Sequence, residues 1–415
     1  MGILDRIGFS LEINVVVPIC EGLSRAWLKL DPRVYFQSMR LRKIEEYQPV
    51  KSQRFVILAM WGGGQVQPYL QALFDALAKT DLNLVVVSNS KIRPATRTVL
   101  AQYAHIVIER SNLGRDFGAY KDGILHLQER YPEAERIMLL NDSVYYFPKG
   151  LDDLIARLDG EDEFIGLTEV HEHHYHVQSF MLSFGKPVLQ SKVFQRYWKK
   201  YLPIGTRRWS IHKGEVGLSQ RLLRAGFRPT ILFHAGQLYQ QLGEARMTDI
   251  ETCVSLLPDY FRARMSSMID TSRAEQMGLL RSLSGIVPNS PAGTHLVVPA
   301  AEEATRVNDI WAVLVNENRR EISRISHKRV RDVVRLIGDR NQVHLGGFLF
   351  YKFFDMPIIK RDIVYREVFK LDEVWRILHE LDMPFSNEII ADLRQKGSAE
   401  HIPWPKKILY RHGSI

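Results

Sequence analysis

Residues 105–124 read HIVIERSNLGRDFGAYKDGI. The run HIVIE is short, apolar and β-branched, which predicts a buried strand. Asn112-Leu113-Gly114-Arg115-Asp116 then breaks it with turn-forming and charged residues. Phe117, Tyr120, Ile124 and Leu127 follow at helical spacing, and Pro132 ends that helix. A strand that passes through a glycine turn into a helix presents free backbone N–H groups, which suit an anion. Arg115 adds a fork of donors for phosphate. The same residues would also serve as a plain strand–turn–helix corner, with Asp116 as its cap. The flanking elements therefore have to decide.

Working outward, the pattern repeats. RFVILAM (54–60), LNLVVVS (82–88) and ERIMLLNDS (135–143) predict further buried strands, and QPYLQALFDALAKT (67–80) and TRTVLAQYA (96–104) predict helices between them. Strand–helix alternation predicts a mainly parallel sheet flanked by helices, an α/β fold. Ligands of such sheets bind beyond the carboxyl ends of the strands. Four stretches fall there: Trp61-Gly62-Gly63, Ser88-Asn89-Ser90, the 112–116 turn and Asn141-Asp142-Ser143. No GxGxxG follows any strand, which argues against a dinucleotide oxidoreductase.

The order of motifs carries a resemblance. NLGRDFGAYKDGI (112–124), LLNDSVYYFP (139–148), VQSFMLSF (177–184) and GEVGLSQRLL (214–223) together resemble the rhamnan synthesis protein F family of bacterial polysaccharide glycosyltransferases. The likeness spans about residues 53–235, and DMPIIKRDIV (355–364) is similar to a C-terminal segment of some relatives. It implies a GT-A-like nucleotide-sugar-binding domain over 51–250. An N-terminal arm would occupy 1–50, and a helical C-terminal region 251–415 with a linker near 282–304. It further implies transfer of rhamnose or another hexose, probed as dTDP-rhamnose or a UDP-hexose, to a lipid-linked glycan that grows into a surface polysaccharide such as O-antigen, rhamnan or capsule. The transfer would be inverting.

The resemblance assigns residues. Donor binding falls to Trp61, Ser88, Asn112, Gly114, Arg115, Asp116, Asn141, Asp142 and Ser143. Asn141-Asp142-Ser143 stands where the family fold has a DxD-type triplet, so Asp142 would hold a divalent cation, Mg²⁺ or Mn²⁺, against the diphosphate. One carboxylate in place of two puts that metal in question and keeps a non-catalytic, scaffold-like relative as the alternative. Glu215, after Gly214 and at the expected start of a helix carrying Leu218, Leu222 and Leu223, would be the catalytic base. An acid in a first helical turn also serves the helix dipole alone. His176, Gln178 and Ser179 would meet the acceptor. The surrounding HEHHYHVQS (171–179) lacks a metal-binding spacing and reads as a polar loop rather than a zinc site. Trp198, Trp209 and Tyr175 could stack on sugar or fill core.

Bulk properties agree with this reading. The chain of 415 residues carries 56 Lys and Arg against 47 Asp and Glu, a net charge of +9. That suits phosphate or an anionic surface, and no nucleic-acid motif accompanies it. Two distant cysteines, Cys20 and Cys253, give no disulfide framework and predict a reducing, cytoplasmic setting. RVYFQSMRLRK (33–43) and GGFLFYKFFDMPIIKRD (346–362) are basic and aromatic. Each could pack as core or touch the inner membrane peripherally, and for 33–43 a helical arm packed on the body is the expected form. NDIWAVLVNENRREISRISHKRVRDVVRLIGD (308–339) predicts helix.

Overall fold

A computed structural model of the chain describes residues 15–61, 65–171, 174–242, 252–262, 334–335, 337–338, 341–398, 402–403, 406–407 and 410. The linker near 282–304 and nearly all of 308–339 lie outside the described residues. Contacts divide the chain into two units, Met1–His234 with Gly338–Ile415, and Ala235–Ile337. In the second, Ala235–Leu242 is helical and Cys253, Leu256, Leu257 and Phe261 are buried. The first unit holds the sheet.

After helix α1 (Val17–Lys29), the strands are β1 (Leu41–Glu46), β2 (Arg54–Met60), β3 (Asn83–Ser88), β4 (Ile106–Arg110), β5 (Arg136–Asn141), β6 (Val144–Tyr146), β7 (Phe164–Gly166), β8 (Glu169–Val170), β9 (His176–Val177), β10 (Met181–Gly185), β11 (Thr230–Ile231) and β12 (Ile358–Lys360). The main sheet runs β1-β4-β3-β2-β5-β10-β7-β11. Its centre, β4-β3-β2-β5, is parallel, β10 is antiparallel to both neighbours, and β1 caps the edge antiparallel to β4. This is the α/β, mainly parallel architecture expected from the sequence. All of β3, β4 and β5 is buried, as parallel strands covered on both faces require. Crossover helices α2 (Pro68–Ala78), α3 (Pro94–Tyr103) and α4 (Arg115–Arg130) each open on a residue with fitting backbone: Pro68 and Pro94 at the first helical position, and Gly114 at φ 76° before α4. Phe117, Tyr120, Ile124 and Leu127 all face the core, so the predicted helical face is the buried one.

The stretch 33–43 is not a helical arm. It makes two short 3₁₀ turns, Pro32–Val34 and Gln37–Met39, and enters β1. Helices α5 (Leu151–Leu158), α6 (Lys192–Lys200) and α7 (Val216–Arg224) complete the N-terminal run, and α8 (Gln342–Phe354), α9 (Leu371–Glu380) and α10 (Ser386–Lys396) the C-terminal one. Segment 346–362 is core: Phe348, Leu349, Phe350 and Ile358 are all fully buried. Most of its aromatic side chains therefore pack in the core, while Lys352 and Asp355 stay exposed. Its strand β12 pairs antiparallel with β6, aligning Lys360 with Val144. The C-terminal run thus lies directly beside the Asn141-Asp142-Ser143 turn.

One buried charge cluster shapes the turn before α4. Asp122 Oδ1 accepts from Arg40 Nη2 at 2.5 Å, and its Oδ2 accepts from Arg110 Nε at 2.7 Å. All three side chains are 0% exposed. Arg110 also donates to Asn89 Oδ1 and, at 2.6 Å, to the Leu113 carbonyl. A Cβ at Gly118 would collide with that same Leu113 carbonyl and crowd Arg110 Nη2. Gly118→Ala should therefore cost about 1–3 kcal/mol as overpacking and shift the turn. Denaturant unfolding would show it, and a variant as stable as the parent would show that the turn yields freely.

Candidate active site

The carboxyl ends of β2, β3, β4 and β5 open into a cleft of about 1110 Å³. Its walls include Trp61, Asn112, Arg115, Asp116, Asp142, Ser143, His176, Gln178, Ser179 and Glu215. Ten of the sequence-assigned residues thus converge on one cavity, though they span more than 150 residues of chain. Three do not line it. Ser88 is buried and donates to the Ser90 carbonyl at 2.8 Å. Gly114 sits behind Arg115 and packs on Pro203. Asn141 is turned inward, donating to Asp116 Oδ2 at 2.9 Å.

Glu215 stands apart from the other acids in its setting. It was expected in a first helical turn, where the dipole alone would explain it. Instead helix begins earlier, at Arg207, and passes through a π-helical stretch, Ser210–Glu215, into α7. The N-terminal amides of a helix are therefore not what Glu215 serves, and π turns are frequent at functional sites. Its Oε1 accepts from Ser179 Oγ at 2.6 Å, and its Oε2 lies 3.8 Å from His176 Nε2. The other His176 nitrogen, Nδ1, is 2.8 Å from the His174 carbonyl, which fixes Nδ1 as the donor and leaves Nε2 toward Glu215. Gln178 is held by Thr168 Oγ1, which donates to its Oε1 at 3.0 Å.

The opposite wall belongs to the triplet. Asp142 Oδ2 accepts from the Trp61 backbone N–H at 2.8 Å. Burial, with Asp116 close by, pushes its carboxyl up to about 7 against the pull of Arg361. Asp116 is likewise raised by burial, with Lys360 and Arg115 opposing. Asn141 Oδ1 accepts from both the amide and the hydroxyl of Ser143, at 3.1 and 2.6 Å. Lys360 Nζ then donates to Ser143 Oγ at 3.2 Å and lies 3.9 Å from the Phe180 ring centre. Burial depresses the Lys360 ammonium, with Asp362, Glu215 and Asp116 opposing, so a further anionic partner in the cleft would favour its charged form. Arg361 ties this wall together: it donates to the Asp142 carbonyl at 2.7 Å and grips Asp392 through Nε and Nη2.

The charge of the cleft is positive on balance. Arg115, Arg207 and Arg208 enter from the first part of the chain, and Lys360, Arg361, Arg366 and Lys396 from the C-terminal run. The carboxylates facing them are Asp116, Asp142, Glu215 and Asp362. Asp362 is held well below the usual carboxylate range: burial works against ionisation, but His344, Lys360 and Arg366 outweigh it. Sequence reading missed Arg207, Lys360, Arg366 and Lys396. The only signal was for Lys360, in the DMPIIKRDIV resemblance, which named a segment without a role; Arg207, Arg366 and Lys396 had none.

The donor set for a divalent cation is poor. Among the described residues no three His, Cys, Asp or Glu side chains group as metal ligands. The neutral oxygens of Asn141 and Ser143 are spent on each other, and the Lys360 ammonium already adjoins Ser143. A cation there would meet a fixed positive charge. The triplet does not fit the metal that Asp142 was expected to hold. The histidines do not gather either: His171 points to Glu169, His174 and His176 reach the cleft, and His173 lies outside the described residues. Trp198 is buried among Phe117, Phe194 and Tyr197, so it is core. Trp209 donates to the Leu202 carbonyl and packs on the core edge, while Trp61 is exposed at the cleft.

Comparison with known proteins finds the following similarities. Residues 84–252 match the family model described as RgpF, rhamnan synthesis protein F. The chain is 25% identical over 352 residues to an uncharacterized protein, y4gN, of Sinorhizobium fredii, covering 81% of this chain and 87% of that one. It is 34% identical over 87 residues to virulence protein VirA of Vibrio anguillarum, covering 20% of this chain and 27% of that one. Among solved structures, a glycosyltransferase involved in glycosylation of the major capsid of PBCV-1 gives a TM-score of 0.27 at 12% identity, over 42% of this chain and 81% of that chain. No helix among the described residues is long and apolar enough to cross a membrane.

Proposed function

We propose, for a chain whose residues 84–252 carry the rhamnan synthesis protein F match, that the cleft transfers a sugar from a nucleotide-sugar donor to a growing bacterial surface polysaccharide on a lipid-linked acceptor. One observation carries the reading. A carboxylate in hydrogen-bond contact with a serine, Glu215 with Ser179, shares one cleft with a wall of buried and half-buried cations around the β5 turn. The inverting transfer proposed here uses both. An acceptor hydroxyl attacks the anomeric carbon and gives its proton to Glu215. The bond from that carbon to the diphosphate oxygen breaks on the far side, and the diphosphate leaves with added negative charge. Attack opposite the leaving group inverts the anomeric centre.

The donor diphosphate would lie against Arg115 and Lys360, with Trp61 at the cleft beside it. Asn112, Asp116 and Asp142 would set the shape of the donor pocket, and His176 and Gln178 that of the acceptor pocket. In place of the expected Mg²⁺ or Mn²⁺, Lys360 supplies the fixed positive charge at the triplet. A panel containing dTDP-rhamnose and UDP-hexoses should identify the donor, since ligand at 100 times its Kd adds ~2.7 kcal/mol to stability. Failure of every nucleotide sugar to raise the melting temperature would overturn the donor assignment.

The lysine has its own test. Lys360→Met keeps the apolar stem and removes the charge. Turnover should fall by about 10²-fold, the typical loss of one preorganised group at a leaving oxygen. EDTA should leave the parent enzyme's turnover unchanged. Loss of all turnover in EDTA, restored by Mg²⁺ or Mn²⁺, would return the diphosphate to a cation on Asp142.

A further inference from the structure

Helix α1 is turned outward in a way that core packing does not explain. Ile19, Leu23, Trp27 and Leu30 are 55%, 68%, 75% and 75% exposed. At 3.6 residues per turn these four fall within about 80° of arc, a single apolar stripe. Val17 and Leu28 lie on the other side of the helix: Val17 is buried, and Leu28 packs toward Val34, Leu113 and Ile204. After the helix, Tyr35, Phe36 and Met39 are each more than half exposed. Scattered apolar residues on a surface are ordinary, but a helix stripe of this size continued by three further apolar side chains marks a contact.

We propose that α1 and the 35–39 turns form an interfacial membrane contact, with the apolar stripe seated in the headgroup boundary of an anionic bilayer. Charge complementarity selects this occupant. Lys29 lies exposed near the C-terminal end of the helix, and Arg42 and Lys43 lie exposed just beyond the turns, Lys43 paired with Glu45. Basic residues beside an apolar face with an interfacial tryptophan are the composition of a helix that lies in the membrane plane. A partner helix of another protein would not need that charge. The buried side of α1 matters as well, because Val17 lines the cleft. The contact would therefore bring the bilayer surface close to the mouth of the site, where a lipid-linked acceptor waits. That consequence rests on the proposed transfer; the membrane contact itself does not.

The test uses the full chain and two vesicle compositions, phosphatidylcholine alone and phosphatidylcholine with phosphatidylglycerol. The parent protein should co-sediment with the anionic vesicles, and high salt should weaken this by screening. The double variant Leu23→Glu/Trp27→Glu should bind them about 10-fold less or worse, since each change puts a charge into the apolar boundary. Its melting temperature, and its stabilisation by UDP or dTDP, should match the parent. A parent protein indifferent to anionic vesicles at low salt overturns the proposal. So does a double variant that sediments like the parent, or one whose only change is conversion of a dimer to a monomer, which would give the stripe to a second copy. Vesicle partition decides the membrane contact alone, while nucleotide stabilisation and sugar transfer decide the reading of the cleft.

Discussion

Glu215→Gln should lower turnover by about 10²–10⁴-fold while the protein melts within reach of the parent temperature. General-base catalysis is worth that range, or roughly 3–5 kcal/mol of barrier. The substitution keeps the size of the side chain and an oxygen that can accept from Ser179 Oγ, so the 2.6 Å contact survives. Only proton acceptance is lost. Were Glu215 merely a structural acceptor, the change would cost at most about 1 kcal/mol of stability and leave the rate nearly intact. Rate and melting temperature measured on one variant separate the two roles. The reading also fixes the stereochemistry: the product anomer should be opposite to the donor's. Near-normal turnover in Glu215→Gln would sink the assignment and send the search to Glu169 and to Glu172, which lies outside the described residues.

Asp122→Ala should be the most damaging substitution away from the cleft. It would leave Arg40 and Arg110 buried with no carboxylate between them. Breaking one partner out of a buried ion cluster costs ~3–5 kcal/mol, because the remaining charges stay desolvated. For a domain of ordinary size that lowers the melting temperature by roughly 6–20 °C. The loss should not stay local. Arg110 holds the Leu113 carbonyl and Asn89, and through them the turn that carries Arg115. Weaker nucleotide stabilisation is therefore expected together with the lower melting point. A variant that unfolds like the parent would show that the two arginines find other partners or water.

The sequence by itself determined the sheet and most of its rim. Strands β2 to β5 were legible because a parallel strand covered on both faces must have an apolar interior, and the runs FVILAM, LVVV, IVI and IMLL within them are apolar. The turns after them were legible because glycine and polar residues cannot continue such a run. That placed Trp61, Arg115, Asp116 and Asp142 on one rim without a structure. Period alone said nothing of β1, whose LRKIEE is an exposed edge strand with only a partial alternation.

Tertiary structure decided the rest, for a physical reason: charge neutralisation acts across space, and periodicity reports only along the chain. Lys360 lies 217 residues after Ser143, yet β12 pairs with β6 and brings its ammonium to that hydroxyl. The aromatic, basic run 346–362, which the sequence left open between core and surface, is mostly core through α8 and β12. The reverse holds for α1, where an ordinary apolar helix is left facing outward because its other side alone meets the body. Glu215 shows the same division. The sequence could name it as an acid on a helix, but only the earlier start of that helix at Arg207, and the approach of Ser179 from the turn between β9 and β10, removed the dipole as its explanation.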